Sequence, residues 1–447
     1  MVGNTPPASG NNAISIYEIG LNVARAANDP RALVSELVKV GTELVRHGQP
    51  QKAIPLFDEA ILLSRNMNDL KLEGILLGNK GIALTHMEKF DDAVEVYKAA
   101  QTIAEAIADP DFQSHVLGQL GVALTSQGMP EQGVNHLLRA LDIATDSGNQ
   151  YQQMIHLGHI GSIFLTIGAV EEAVKYYQQA LAFARELGDR QAEGGFLNNL
   201  GHTFSIMDMP QEVAGYLGDS LAIVRELADQ VGEKNVLNRL VDTYIIMGDV
   251  DKLIECSTAL LDMASDIADM ELEHNVLNRT IIGLLGMRQS QLALPYIRQS
   301  LTLARKRGDS ENEINLLFNL GNIHYQVNQL DDALEVYAQA TTLANASNQH
   351  KAEARLLGRL SAIHAERGSL QTALDYAQRA LKRAKELDDP FTVGEQSSLL
   401  ALTYRDMNRI DEAIPLATQA IEAFEAIKDI DMAEQARQLL SSLKGIE

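Results

Sequence analysis

Asn235, Asn238 and Arg239 stand at i, i+3 and i+4, and the same stretch, NVLNR, returns forty residues later as Asn275, Asn278 and Arg279. On a helix this spacing gathers the three polar side chains on one face, while Val236, Leu237 and Leu240 point elsewhere. Asn amides both donate and accept, so a row of them can hold the backbone of an extended peptide whatever its sequence. A guanidinium adds a two-pronged grip on a carboxylate. The same frame extends the stripe backward to Asn198, Asn199 and His202, and forward to Asn315, Asn319 and Asn322 and then Arg355 and Arg359. That chemistry is recognition, not bond-making.

Other reactive-looking groups have simpler explanations. His156 and His159 share a helix and His202 follows one interval later, but no nearby Cys or carboxylate completes a metal set, so they are expected to line a polar groove. His324 and His364 fall in a column with Phe164, Phe204, Tyr244 and Tyr404 and are expected to pack as aromatics. Arg307-Gly308-Asp309 spells an adhesion tripeptide, yet Gly188-Asp189 fills the matching turn of another unit, so the repeat itself explains it. The glycines of LLGNKG sit within a helix, not between a strand and a helix, which argues against a phosphate loop. No Ser/His/Asp arrangement or zinc-protease motif stands out. No catalytic residue, metal or cofactor is expected.

Composition narrows the partner. Sixty acidic residues against 37 Lys and Arg give a net charge of −23, which opposes a polyanion, so no nucleic acid is expected. An Arg-bearing stripe in such a chain is a local reversal of sign and favours an acidic protein segment. A single cysteine, Cys256, excludes an internal disulfide and fits a reducing compartment. The N-terminus lacks the basic and apolar regions of a secretory signal, and no run of about 18 apolar residues occurs, so a soluble, cytoplasmic protein without membrane contact is expected.

The elements that hold the stripe follow from the period. Ala, Leu, Glu and Gln dominate and Trp is absent, which favours an all-α fold. In rows of forty, Gly recurs at Gly41, Gly81, Gly121, Gly161, Gly201 and Gly321, and Ala at Ala53, Ala93, Ala173, Ala293, Ala333, Ala373 and Ala413. Such small residues let helices approach where they cross. Asp29, Asp109 and Asp389 each precede Pro, which reads as an N-cap followed by the first helical residue. A second start, about twenty residues on, is marked by Gly48, Gly128, Gly168, Gly248, Asn328, Gly368 and Asn408. Each unit is thus two helices of roughly 16 to 18 residues. A single pair cannot bury its apolar face, so the pairs must stack as a solenoid.

LLGNKGIALTHMEKFDDAVEVYKAAQTIAEAIADPD (76 to 111) and LFNLGNIHYQVNQLDDALEVYAQATTLANASNQ (317 to 349) resemble tetratricopeptide repeats of the forty-residue variety, similar to those of Pins-type scaffolds and Rap-type regulators. The resemblance implies a right-handed α-solenoid of about ten units over 11–429, with a lone first helix near 11 to 27; residues 1–10, rich in Gly, Pro, Ser and Asn, are expected to be a disordered lead-in. A capping helix and tail would close it over 430–447. It further implies that first helices line a concave groove, which would carry the Asn and Arg stripe. The expected function is a scaffold or adaptor that binds an acidic, extended or helical protein segment there. A signal-responsive regulator and a self-assembling array are the alternatives.

Overall fold

The computed structural model describes residues 20–27, 29–387 and 389–445, which form 22 helices and no strand among them. The expected lead-in at 1–10 and the start of the first helix lie outside the described residues. The chain divides into two compact units at Thr243.

The first unit holds α1 (residues 20–27), α2 (Pro30–Arg46), α3 (Pro50–Asn66), α4 (Leu70–His86), α5 (Phe90–Ile107) and α6 (Pro110–Ser126). It continues with α7 (Pro130–Asp146), α8 (Gln150–Thr166), α9 (Val170–Leu187), α10 (Arg190–Ile206) and α11 (Pro210–Glu226). α12 (Gln230–Met247) runs across the division. The second unit holds α13 (Val250–Asp266), α14 (Met270–Gly286), α15 (Ser290–Arg307), α16 (Ser310–Gln326) and α17 (Leu330–Ala346). Then come α18 (His350–Glu366), α19 (Leu370–Glu386), α20 (Pro390–Asp406), α21 (Ile410–Ala426) and α22 (Ile430–Leu443). This is an all-α solenoid of repeated helix pairs.

Each helix opens and closes by one local grammar. Asp29 accepts from the backbone N–H of Arg31 and Ala32, and Asp109, Asp189, Asp309 and Asp429 each cap a first helix in the same way. Asp389 departs from the pattern: its carboxylate instead accepts from the Thr392 hydroxyl at 2.7 Å and pairs with Lys351 at 2.7 Å. Among the described residues, helices end on a left-handed residue at intervals of twenty, from Gly48 through Asn68 and Glu88 to Lys428. After it the chain reverses, and the next N–H reaches back five residues to a helix carbonyl, as from Gln49 to Leu44 at 2.8 Å and from Asp69 to Ser64 at 3.0 Å.

Packing explains the small-residue columns. A Cβ on Gly81 would stand 2.5 Å from the Tyr97 ring, and one on Gly121 would stand 2.7 Å from the carbonyl oxygen of Gly133. In the first unit Leu37, Phe57, Ala60, Leu76 and Ala100 share one core; in the second, Ala401, Ala413, Ala417 and Leu443 share another. α22 turns Arg437, Gln438, Ser441 and Ser442 outward and packs Leu439, Leu440 and Leu443 inward. Ion pairs reinforce several junctions. The Arg near the end of a second helix reaches the Glu in the first turn of the next helix: Arg65 to Glu73 (2.7 Å), Arg185 to Glu193 (2.8 Å), Arg225 to Glu233 (2.7 Å) and Arg305 to Glu313 (2.6 Å). Among the described residues no helix is long and apolar enough to cross a membrane.

Candidate functional site

The polar stripe belongs to first helices, and helical geometry turns it away from the face that packs on second helices. In the first unit, α10 carries Asn198, Asn199 and His202, and α12 carries Asn235, Asn238 and Arg239. Asn235 and His202 are exposed, whereas Asn198, Asn199, Asn238 and Arg239 are half-buried. Asn238 donates to the Lys234 carbonyl of its own helix at 2.9 Å. Asn198 Oδ1 and Arg239 Nη1 are shut off from solvent and make no hydrogen bond. Burial, and then the charge of Arg239, hold the His202 pKa below its ordinary value, so the ring beside this arginine is neutral at pH 7.

In the second unit, α14 carries Asn275, Asn278 and Arg279, α16 carries Asn315, Asn319 and Asn322, and α18 carries Arg355 and Arg359. Asn275 and Asn315 are exposed. Asn278 donates its amide to His274 Nε2 at 3.0 Å, and Asn322 accepts from the Tyr337 hydroxyl at 2.6 Å. Both of these amides are therefore partly committed to the fold. The guanidinium of Arg355 lies 4.8 Å from the Phe318 ring centre, and that of Arg359 lies 5.6 Å from the same centre. Both arginines are exposed, and neither has a carboxylate within ion-pair distance among the described residues. A ring beneath two guanidinium groups holds them in place without neutralising them.

Three contributors to this face are absent from the stripe as the sequence defines it. Phe318 stands in the column of Asn198, Asn238 and Asn278, and Glu395 stands forty residues after Arg355. Counting in forties finds both; a search for Asn and Arg alone passes over them. Burial raises the Glu395 pKa, against the pull of Arg355 and Arg359. Tyr325, whose hydroxyl donates to Glu366, completes the surroundings of Arg359.

The histidines differ from expectation. His156 does not line a groove: it is 2% exposed, and its ring lies against Gly118, where a Cβ would collide with it. Ser114 gives its one proton to the Ala140 carbonyl, so the bond to His156 Nε2 at 2.8 Å is donated by the imidazole. Burial first, then His159 and His115, push the His156 pKa down to about 4. Among the described residues no group of three or more His, Cys, Asp or Glu is placed to hold a metal ion. His364 stacks on Tyr376 as expected of its column, at 5.4 Å. His324 instead bonds Gln329 at 2.8 Å, because Val336 occupies the place where a ring partner would stand. The Arg307-Gly308-Asp309 stretch is a helix junction: Gly308 is left-handed and Asp309 caps α16.

Comparison with known proteins agrees with the repeat. Residues 112–186, 275–346 and 352–426 match one family profile described as tetratricopeptide repeat, and 40–110 match a second with the same description. A search of curated proteins finds no match. Among solved structures, BtubC from P. vanneervenii aligns at 16% identity and a TM-score of 0.44, over 50% of this chain and 93% of that one. Aspartyl phosphate phosphatase F from Bacillus subtilis aligns at 11% identity and a TM-score of 0.45, over 77% and 96%. The apo quorum sensor NprR from B. thuringiensis aligns at 14% identity and 0.34, over 81% and 99%.

Proposed function

Because this chain belongs to the tetratricopeptide repeat family, we propose that it is a non-enzymatic scaffold or adaptor whose first-helix face grips an acidic, extended or helical protein segment. The observation that carries the reading is the pair Arg355 and Arg359, held over Phe318 with no carboxylate partner among the described residues. In a chain with 60 acidic and 37 basic residues, two exposed guanidinium groups on one ring, near Glu395 but with no carboxylate within ion-pair distance among the described residues, are a prepared site for carboxylates. Exposed Asn315 and half-buried Asn319 stand in the same unit to meet the backbone of such a segment.

Affinity capture from native lysate, followed by titration of the captured segment as a labelled peptide, tests the reading. The Arg355→Glu/Arg359→Glu variant is expected to bind at least about tenfold more weakly, which corresponds to about 1.4 kcal/mol. Its melting temperature should stay near that of the unmodified protein, since neither arginine is buried. Binding should also weaken as salt rises. Equal retention of the same protein by both forms would remove this face as the binding surface.

A further inference from the structure

The ion-pair ladder between repeats is interrupted at several places, since Glu105, Thr145, Ser265, Asn345, Lys385 and Glu425 also stand in its arginine column. At the column that supplies Arg65, Arg185, Arg225 and Arg305, the last turn of α17 carries Asn345. The acidic partner is still there: Glu353 in the first turn of α18 takes a 3.1 Å hydrogen bond from the shorter Asn345 amide. Its side chain is 4% exposed, against 10% to 23% for the four paired glutamates. A cavity of about 470 Å³ opens beside it, bounded by Ala338, Thr341 and Ala346 of α17 and by Tyr376 and Arg379 of α19. A second hollow of about 260 Å³ adjoins it, sharing Asn345, Glu353 and Arg379 and adding Lys382. This volume falls within the range of small-molecule sites.

The walls divide by chemistry. One half presents acceptors: Thr341 and Thr342 give their protons to the carbonyls of Tyr337 and Ala338, which leaves their oxygen lone pairs free. Asn345 has given its amide to Glu353, so its carbonyl remains. Glu353 Oε2 pairs with Arg383 Nε at 2.8 Å and lies 3.7 Å from His350 Nδ1. The other half presents donors. Arg383 is held by Glu353 and by Glu386 at 2.7 Å, whereas Arg379, 5.5 Å from the Tyr376 ring centre, and Lys382 have no carboxylate partner among the described residues.

We propose that this cavity binds a small zwitterion, with a guanidinium or ammonium in the acceptor half on Glu353 and a carboxylate on Arg379 and Lys382. A bare cation would face three neighbouring positive charges; a bare anion would face buried Glu353. L-arginine satisfies both halves and places a second guanidinium beside Glu353, next to that of Arg383, from the side that Arg occupies at four other junctions. The site lies on the side of α18 opposite Arg355 and Arg359, since residues 353, 357 and 360 point away from 355 and 359, and it does not depend on the function of that face.

Calorimetric titration of the full chain with L-arginine tests the proposal. Saturable binding is expected, at least tenfold weaker for agmatine, which keeps the guanidinium and lacks the carboxylate. Asn345→Arg should refill the cavity from within, as the same pair does at four other junctions, so that it melts no lower than the unmodified protein and loses the binding. Arg379→Ala should weaken L-arginine at least tenfold while leaving agmatine unchanged. Absence of saturable binding by the unmodified protein would overturn the proposal, as would equal affinity for agmatine or undiminished binding by Asn345→Arg.

Discussion

At the scale of single residues, the buried histidine makes stability depend on pH. His156 has an ordinary pKa of 6.5 and a folded value of about 4, so across that interval the folded chain binds fewer protons than the unfolded one. The stabilisation is complete above about 6.5 and is lost as pH falls toward 4, by up to roughly 3 kcal/mol. Urea denaturation at pH 7 and pH 5 should show the loss, and His156→Phe should flatten it, with Phe196 against Gly158 as the precedent in the next unit. An unchanged pH slope in that variant would place the titration elsewhere, with His115 and His159, whose pKa values burial also lowers, as the other groups concerned. The period already marks the burial of His156, which stands in the column of Leu76, Val116, Val236, Val276, Leu316 and Leu356, all buried; only its polar type conceals it, and the glycine of the preceding first helix gives the ring its room. Reading Gly118 and His156 together, 38 residues apart, would have found it.

At the scale of the helix and its ends, the turns carry a cost at particular places. Ala108, Ala228 and Ala268 hold φ of 52° to 53°, a region in which an L-residue pays roughly 1 to 2 kcal/mol and glycine does not. Ala228→Gly and Ala268→Gly are therefore expected to raise the denaturation midpoint, each by up to about 1 kcal/mol after the added freedom of the unfolded chain is subtracted. A fall in the midpoint would show that the methyl groups make compensating contacts. The sequence marks these turns wherever Gly or Asn fills them, as at Gly48 or Asn328, and conceals them at Glu88, Arg288 and Lys428. The period finds what the residue type hides. Helix starts were legible for the same reason, down to the Asp caps, whereas the way Asp389 spends its carboxylate on Thr392 and Lys351 depends on side chains that no cap rule contains.

At the scale of the whole molecule, packing runs mainly between helices that are neighbours in the chain, which makes stability a sum over adjoining pairs. Leu137→Ala, at a fully buried position of α7, is expected to cost 2 to 5 kcal/mol or roughly that order locally. Hydrogen exchange should quicken in α6 to α8 and stay unchanged in α20 to α22; uniform quickening would show all-or-none opening. The repeat pattern revealed the fold almost completely, because spacing survives when individual residues drift. The candidate surfaces were less legible: the amides of Asn278 and Asn322 are partly used by His274 and Tyr337, and the cavity beside Asn345 exists through a residue that is missing from its column. The same regularity limits how such a protein can change. Among the described residues its junctions between helices are only two or three residues long, so no lid or hypervariable loop has room to arise at them. New specificity must come by replacing one outward side chain at a time on a frame that stays fixed, which lets recognition diverge between descendants while their architecture remains the same.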